Sequence, residues 1–208
     1  QTALRIGRML GKNKVTVVSG MAAGIDAHAH AGALDAGGKT VAVLACGPDI
    51  CYPRENRKIY EMIREKGLII SEHPPGTEPK PWHFPMRNRI ISGVSLLTVV
   101  VEAGTGSGAI ITAQAAAEQG RDVMAVPGNI NSPYSLGANK LIADGAAAVT
   151  VPEDILRAAG IEPVMEAEEM EKMGGDEQKV YRLLLEKGGL TVEELCAYMD
   201  AGSFTVNG

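Results

Sequence analysis

The chain has 208 residues, with 20 Lys and Arg against 25 Asp and Glu, a formal net charge of −5 and 45% hydrophobic content. That size holds one substantial domain with room for a small second one, and without a run of 18 apolar residues it excludes a helical membrane span. The acidity argues against a uniformly basic nucleic-acid binder, but it is uneven: residues 1–158 carry 16 Lys and Arg against 14 Asp and Glu, a net of +2, while residues 159–208 carry 4 against 11, a net of −7. Cys46, Cys51 and Cys196 are odd in number and lack CxxC spacing, as expected of reduced thiols in a cytoplasmic protein.

The chain opens inside a helical pattern, with no signal peptide and no initiator Met, and is expected to be truncated upstream. Short apolar or β-branched runs then predict strands at 15–18, 40–44, 68–70, 96–101, 123–126 and 147–151. Helical patterns fall between and after them, near 25–36, 56–66, 86–92, 108–119, 136–144 and 153–159. Strands alternating with helices of about ten residues imply βαβ units. The unalternating runs Val99-Val100-Val101 and Val41-Ala42-Val43-Leu44 suit strands covered on both faces. The expected fold is α/β, a Rossmann-like, doubly wound, mostly parallel sheet spanning 1–158. Five Glu, a Pro and a Gly-Gly pair then read as an acidic linker over 159–175. Residues 176–208 show a helix, a Gly188-Gly189 break and an S/T-x-x-E capping box at Thr191 and Glu194, a partial winged-helix-like module.

The stretch Phe84-Pro-Met-Arg-Asn-Arg-Ile-Ile-Ser-Gly93 is the most telling in the chain. Arg87, Asn88 and Arg89 crowd beside Trp82 and Phe84 just before a strand. Cations beside π-faces suit a flexible polyanion with stackable rings, and single-stranded nucleic acid is such a ligand. Open parallel sheets bind ligands at the carboxyl ends of their strands, so the loop leaving each strand is a candidate contact. After the first comes Ser19-Gly20-Met-Ala-Ala-Gly24-Ile-Asp26, either an anion seat at a helix start or a turn capped by Asp26. After the second comes a Tyr-Pro-Arg54 block, where Arg54 contacts an anion or pairs with a surface carboxylate and Asn56 is placed to cap the next helix. After the fourth comes Glu102-Ala-Gly104-Thr-Gly106-Ser107-Gly108, whose glycines suit a phosphate nest but lack the lysine of a triphosphate loop. Glu102 is expected to order that loop or to pair with Arg87 or Arg89. Lys140 is a further phosphate contact. His28 and His30, at i and i+2, lie about 200° apart around a helix and cannot share a metal. No catalytic residue, cofactor or metal site is expected.

Taken together, Ser19-Gly-Met-Ala-x-Gly-Ile-Asp26, Ala27-His-Ala-His-Ala-Gly-Ala-Leu34, Phe84 to Gly93, Val101-Glu-Ala with Ser107-Gly and Ile111-Thr-Ala113, Val126-Pro-Gly128 and Gly137-Ala-Asn-Lys-Leu-Ile142 resemble the DNA-processing protein A (DprA/Smf) family. The resemblance implies a Rossmann-like protein that binds single-stranded DNA without catalysing a reaction. It also implies a homodimer that protects incoming DNA and helps load a RecA-type recombinase in natural transformation. By position it makes Arg54 part of a basic pocket and Phe84 a stacking or wall residue. Arg87, Asn88 and Arg89 would line the same groove, and the loop of Gly104, Gly106 and Ser107 would approach the DNA backbone. The family's upstream strand, with its Gly-Ser-Arg block, has no counterpart here.

Two rivals stand beside this expectation. Rossmann enzymes that release bases from nucleoside monophosphates carry a Pro-Gly-Gly-x-Gly-Thr loop followed by a catalytic Glu. Here Ile110, Ile111 and Thr112 occupy that region. The other rival is a protein-interaction scaffold whose basic residues are salt-bridged surface.

Overall fold

Strands without polar alternation pair in parallel here. In the computed structural model, which describes residues 1–163, 174–187 and 189–199, β1 (Val17–Ser19), β2 (Thr40–Leu44) and β3 (Leu68–Ser71) form one parallel ladder. A second joins β4 (Leu97–Val100), β5 (Asp122–Ala125) and β6 (Ala147–Ala148) in that order. Helix α1 (Thr2–Lys12) precedes β1. Crossovers are made by α2 (Ile25–Asp35), α3 (Arg57–Lys66), α4 (His83–Gly93), α5 (Gly108–Glu118) and α6 (Leu136–Ala143), and α7 (Glu153–Ala158) follows β6. This is the Rossmann-like architecture read from the sequence. Among the described residues no ladder joins β1 to β4. Both strands are only part-buried, whereas β2, flanked on both sides, buries four of its five residues.

Apolar side chains on the strands meet the helices in three clusters. Met21, Leu34, Leu44, Tyr60 and Ile63 pack around β2. Ile6 and Met9 of α1 reach Met124, Val149, Ile155 and Leu156, so α1 helps to cover the second ladder. Val100, Ala113, Ala125 and Ala138 join β4, β5, α5 and α6. Gly32 lets α1 and α2 pack closely, since a Cβ there would lie 2.2 Å from the carbonyl oxygen of Leu4.

Two element ends differ from the sequence reading for identifiable reasons. The strand expected over 147–151 stops at Ala148. The Asp154 carboxylate takes the amides of Thr150 and Val151 and the Thr150 hydroxyl, which turns the chain into α7. Those hydrogen bonds, the Val151 amide foremost, hold the Asp154 pKa at about 2. The helix expected from 86 begins at His83 instead. Pro85 sits in its first turn, where a missing N–H costs nothing.

The chain separates into two compact units, Gln1–Pro163 and Val164–Gly208. In the second, α8 (Gly175–Lys187) and α9 (Val192–Met199) are described. The expected capping box is formed: the Thr191 amide donates to Glu194 Oε2 at 2.8 Å, and the Glu194 amide to Thr191 Oγ1 at 3.3 Å. Most of the expected linker, Gly188 and the region assigned to a wing lie outside the described residues. Among the described residues no helix is long and apolar enough to cross a membrane.

Candidate nucleic-acid interface

The first loop at the carboxyl rim is a closed structural corner. The Gly20 and Ala22 amides both donate to Asp26 Oδ2, at 3.1 and 3.0 Å. Buried Asn56 donates its Nδ2 to the carbonyls of Met21 and Ala22, and Arg87 donates to the Gly20 carbonyl at 2.6 Å. Asp26 therefore sits where an anion would, which corrects the anion-loop reading of Ser19, Gly20 and Gly24. Asn56 precedes α3 but makes no side-chain cap to it; its amide is committed to this corner. The held conformation includes Met21 at a φ of 61°, with its side chain fully buried. Such a backbone persists only where its surroundings fix it.

Arg87 is a second correction. It is 5% exposed, and its guanidinium faces the sheet rather than a groove. Nη1 donates to the carbonyls of Gly20 and Val43, and Nε to Asn88 Oδ1. Burial lowers its pKa from the usual arginine value, opposed by the nearby Asp26 and Cys46. Asn88, also buried, donates to the Gly108 carbonyl at the start of α5. The pair thus ties α4 to the ends of β1 and β2 and to the Gly104–Gly108 loop. Glu102, expected to order that loop or pair with Arg87 or Arg89, pairs with neither arginine. Ser107 caps α5 by accepting from the Ala109 amide at 3.2 Å, and its own amide donates to the Gly104 carbonyl.

Rings and cations gather where α4 begins. Phe84 is part-buried, with its centroid 5.7 Å from that of Tyr52 and the Arg87 guanidinium 5.9 Å from its own centroid. Tyr52 is 46% exposed and is joined to Pro53 by a cis peptide. Two residues on, exposed Arg54 lines a cavity of about 500 Å³ with Asp49, Ile50, Cys51 and Arg57. Arg57 is paired with Glu61 at 2.6 Å; among the described residues Arg54 makes no ion pair. Burial pushes the Cys46 thiol up to about 11 and raises that of Cys51, so neither is an activated nucleophile.

Arg89 points outward and is paired with Glu72 at 2.5 Å, at the end of β3. Lys140, in the last turn of α6, is paired with its C-cap Asp144 at 2.6 Å. His30 is fully buried and His28 bonds the Gly24 carbonyl; among the described residues no group of His, Cys, Asp and Glu could hold a metal. Sequence reasoning overlooked Tyr52, which the structure pairs with Phe84, and His73 and Lys80, whose ring and ammonium lie against His83 and Trp82. The signal for Tyr52 lay in the Tyr-Pro-Arg block already singled out for Arg54; His73 and Lys80 carried none.

The sequence model of the family described as DNA recombination-mediator protein A matches residues 1–160. The DNA processing protein DprA of Bacillus subtilis is 50% identical over 139 residues, covering 67% of this chain and 47% of that protein. Its namesake in Streptococcus pneumoniae is 46% identical over 145 residues, covering 70% and 51%. The chain thus spans about half the length of the curated relatives it matches. Among solved structures, the S. pneumoniae DNA processing protein A superposes with a TM-score of 0.67 at 39% identity, covering 79% of this chain and 57% of that one. That of Helicobacter pylori, solved to show its single-stranded DNA binding mode, gives 0.70 at 29% identity, covering 76% and 72%.

Proposed function

The chain belongs to the DNA recombination-mediator protein A family, and from that premise we propose that residues 1–158 bind single-stranded DNA at the carboxyl rim and transform nothing. The observation that carries this reading is the Tyr52–Phe84 ring pair with Arg54 two residues on, a cation that among the described residues makes no ion pair. Stacking a base on such a ring contributes about 1–3 kcal/mol, largely irrespective of sequence. Arg54 and Arg89 are the phosphate contacts, with Arg89 exchanging Glu72 for the strand. The backbone at Gly104, Gly106 and Ser107 approaches the DNA. Arg87 and Asn88 set the position of Phe84 and of that loop. Lys140 contributes only if a strand draws it from Asp144.

In the same reading the protein is a cytoplasmic homodimer that protects incoming strands and delivers them to a RecA-type recombinase during transformation. Residues 159–175 serve as an acidic linker to the partial winged-helix-like segment at 176–208. With its −7 balance the acidic C-terminal region suits a protein contact better than a duplex.

Fluorescence anisotropy of labelled oligo-dT against duplex of equal length, at stepped salt, tests the reading. Single strands should win, and with about four phosphates neutralised log K should fall with log salt at a slope near −2.8, using ~0.7 per phosphate. Failure to bind, or binding indifferent to salt, overturns it. Steady release of free base from nucleoside monophosphates would overturn its non-catalytic part.

A further inference from the structure

Trp82 is the only tryptophan in the chain, and it stands 59% exposed at the start of α4. Its ring meets His83 edge-on, with centroids 5.8 Å apart and planes at 85°. His83 is 8% exposed, with Nδ1 3.1 Å from the Ala45 carbonyl just beyond β2. On it stacks His73, with centroids 4.0 Å apart and planes at 25°. Lys80 Nζ lies 5.4 Å from the Trp82 centroid, and among the described residues Lys80 has no ion partner. The indole is therefore fixed from behind by two rings anchored on the sheet. Its remaining surface is open, with the Lys80 ammonium beside it.

Trp82 and Phe84 both stand at the start of α4, and Tyr52 pairs with Phe84. Trp82 and Phe84 are two residues apart, so their side chains leave α4 on opposite sides, about 200° apart. One strand passing the end of α4 would meet both. The geometry points to a second stacking subsite: Trp82 takes a base flanking the one on Tyr52–Phe84, and Lys80 takes the adjoining phosphate. This rests on the single-strand reading and extends it from one stacked base to two.

The indole reports on its own contact, so the full chain can be titrated with unlabelled oligo-dT while labelled oligo-dT follows binding by anisotropy. Tryptophan emission should be quenched along the same isotherm. An oligomer of equal length that is abasic throughout should bind more weakly without quenching. Trp82→Ala should weaken oligo-dT binding about 5- to 150-fold at an unchanged salt slope, and Trp82→Phe should restore most of it. Lys80→Ala should make the slope shallower by about 0.7. Anisotropy binding with unaltered emission, or unaltered affinity in Trp82→Ala, overturns the subsite and leaves the single-strand reading standing. Loss of all binding by the parent protein overturns both. The abasic comparison uses the parent chain, so it holds even where a variant folds poorly.

Discussion

Truncating Arg87 separates two roles that an arginine in this segment can have. Arg87→Ala removes the donors that satisfy the Gly20 and Val43 carbonyls and the Asn88 side chain. A buried acceptor left unsatisfied costs about 1–3 kcal/mol. Two carbonyls lose their partner, but water entering the space and relief from holding a buried cation offset part of this. The net loss comes to about 3 kcal/mol. For a unit of 163 residues, at ~2–4 °C per kcal/mol, melting should fall by about 6–12 °C. Arg87→Lys should fall in between, because one ammonium on a flexible stem cannot reproduce a planar fork. Arg54→Ala is the contrast: exposed and, among the described residues, without an ion pair, it should leave melting unchanged while oligo-dT affinity drops. Circular-dichroism melting and anisotropy on the same samples decide the matter. If Arg87→Ala melts with the parent yet loses the oligonucleotide, the guanidinium reaches the strand directly and the inward clamp is wrong.

Gly20→Ala should disturb the same clamp from the other side, since its Cβ would lie 2.5 Å from Arg87 Nη2. Urea unfolding should show a loss of about 2 kcal/mol, shrinking by ~1 kcal/mol or more when Arg87 is already Ala; simple additivity would mean the two do not meet. His30 supplies a pH dependence. Burial lowers its pKa from 6.5 to about 4, so between those values the unfolded chain binds the extra proton. Stability is whole above pH 6.5 and should decline by about 3 kcal/mol as pH falls to 4. His30→Asn should flatten that slope in urea titrations at pH 7, 5.5 and 4.5, and parallel slopes would contradict the assignment. Asp154, held near 2, acts only below that window. Finally, Glu72→Gln should free Arg89, raising oligo-dT affinity about 2- to 5-fold and steepening the salt slope by ~0.7. Melting should shift little, because exposed pairs contribute about 0–1 kcal/mol; unchanged affinity would place Arg89 off the DNA path.

Much of the fold was legible because apolar runs and glycine turns obey local rules. The Lys140–Asp144 pair was legible too, from i,i+4 spacing alone. Arg89's engagement with Glu72, 17 residues away, was not. Nor was the break between the ladders, because β1 and β4 carry no charge or proline of the kind that marks an edge strand.

The two arginines of Phe84 to Gly93 show where pattern reading reaches its limit. Two positions apart, they lie on opposite faces of α4, so only one can face the sheet. Hydrophobic periodicity ordinarily decides which. Here it misleads, because the buried positions of α4 are His83, Arg87, Asn88 and Ser92, while Met86 is 56% exposed. A polar inward face can be stable only when its donors meet fixed acceptors. The carbonyls that end β1 and β2 provide them for Arg87, and the one at the start of α5 does so for Asn88. The consequence is functional. Apolar packing would leave Phe84 free to slide, whereas hydrogen bonds to three separate elements fix the ring against the strand ends. The segment that reads as a row of DNA contacts is thus in part scaffold: Arg87 and Asn88 are buried and bonded to the frame, while Arg89 faces outward.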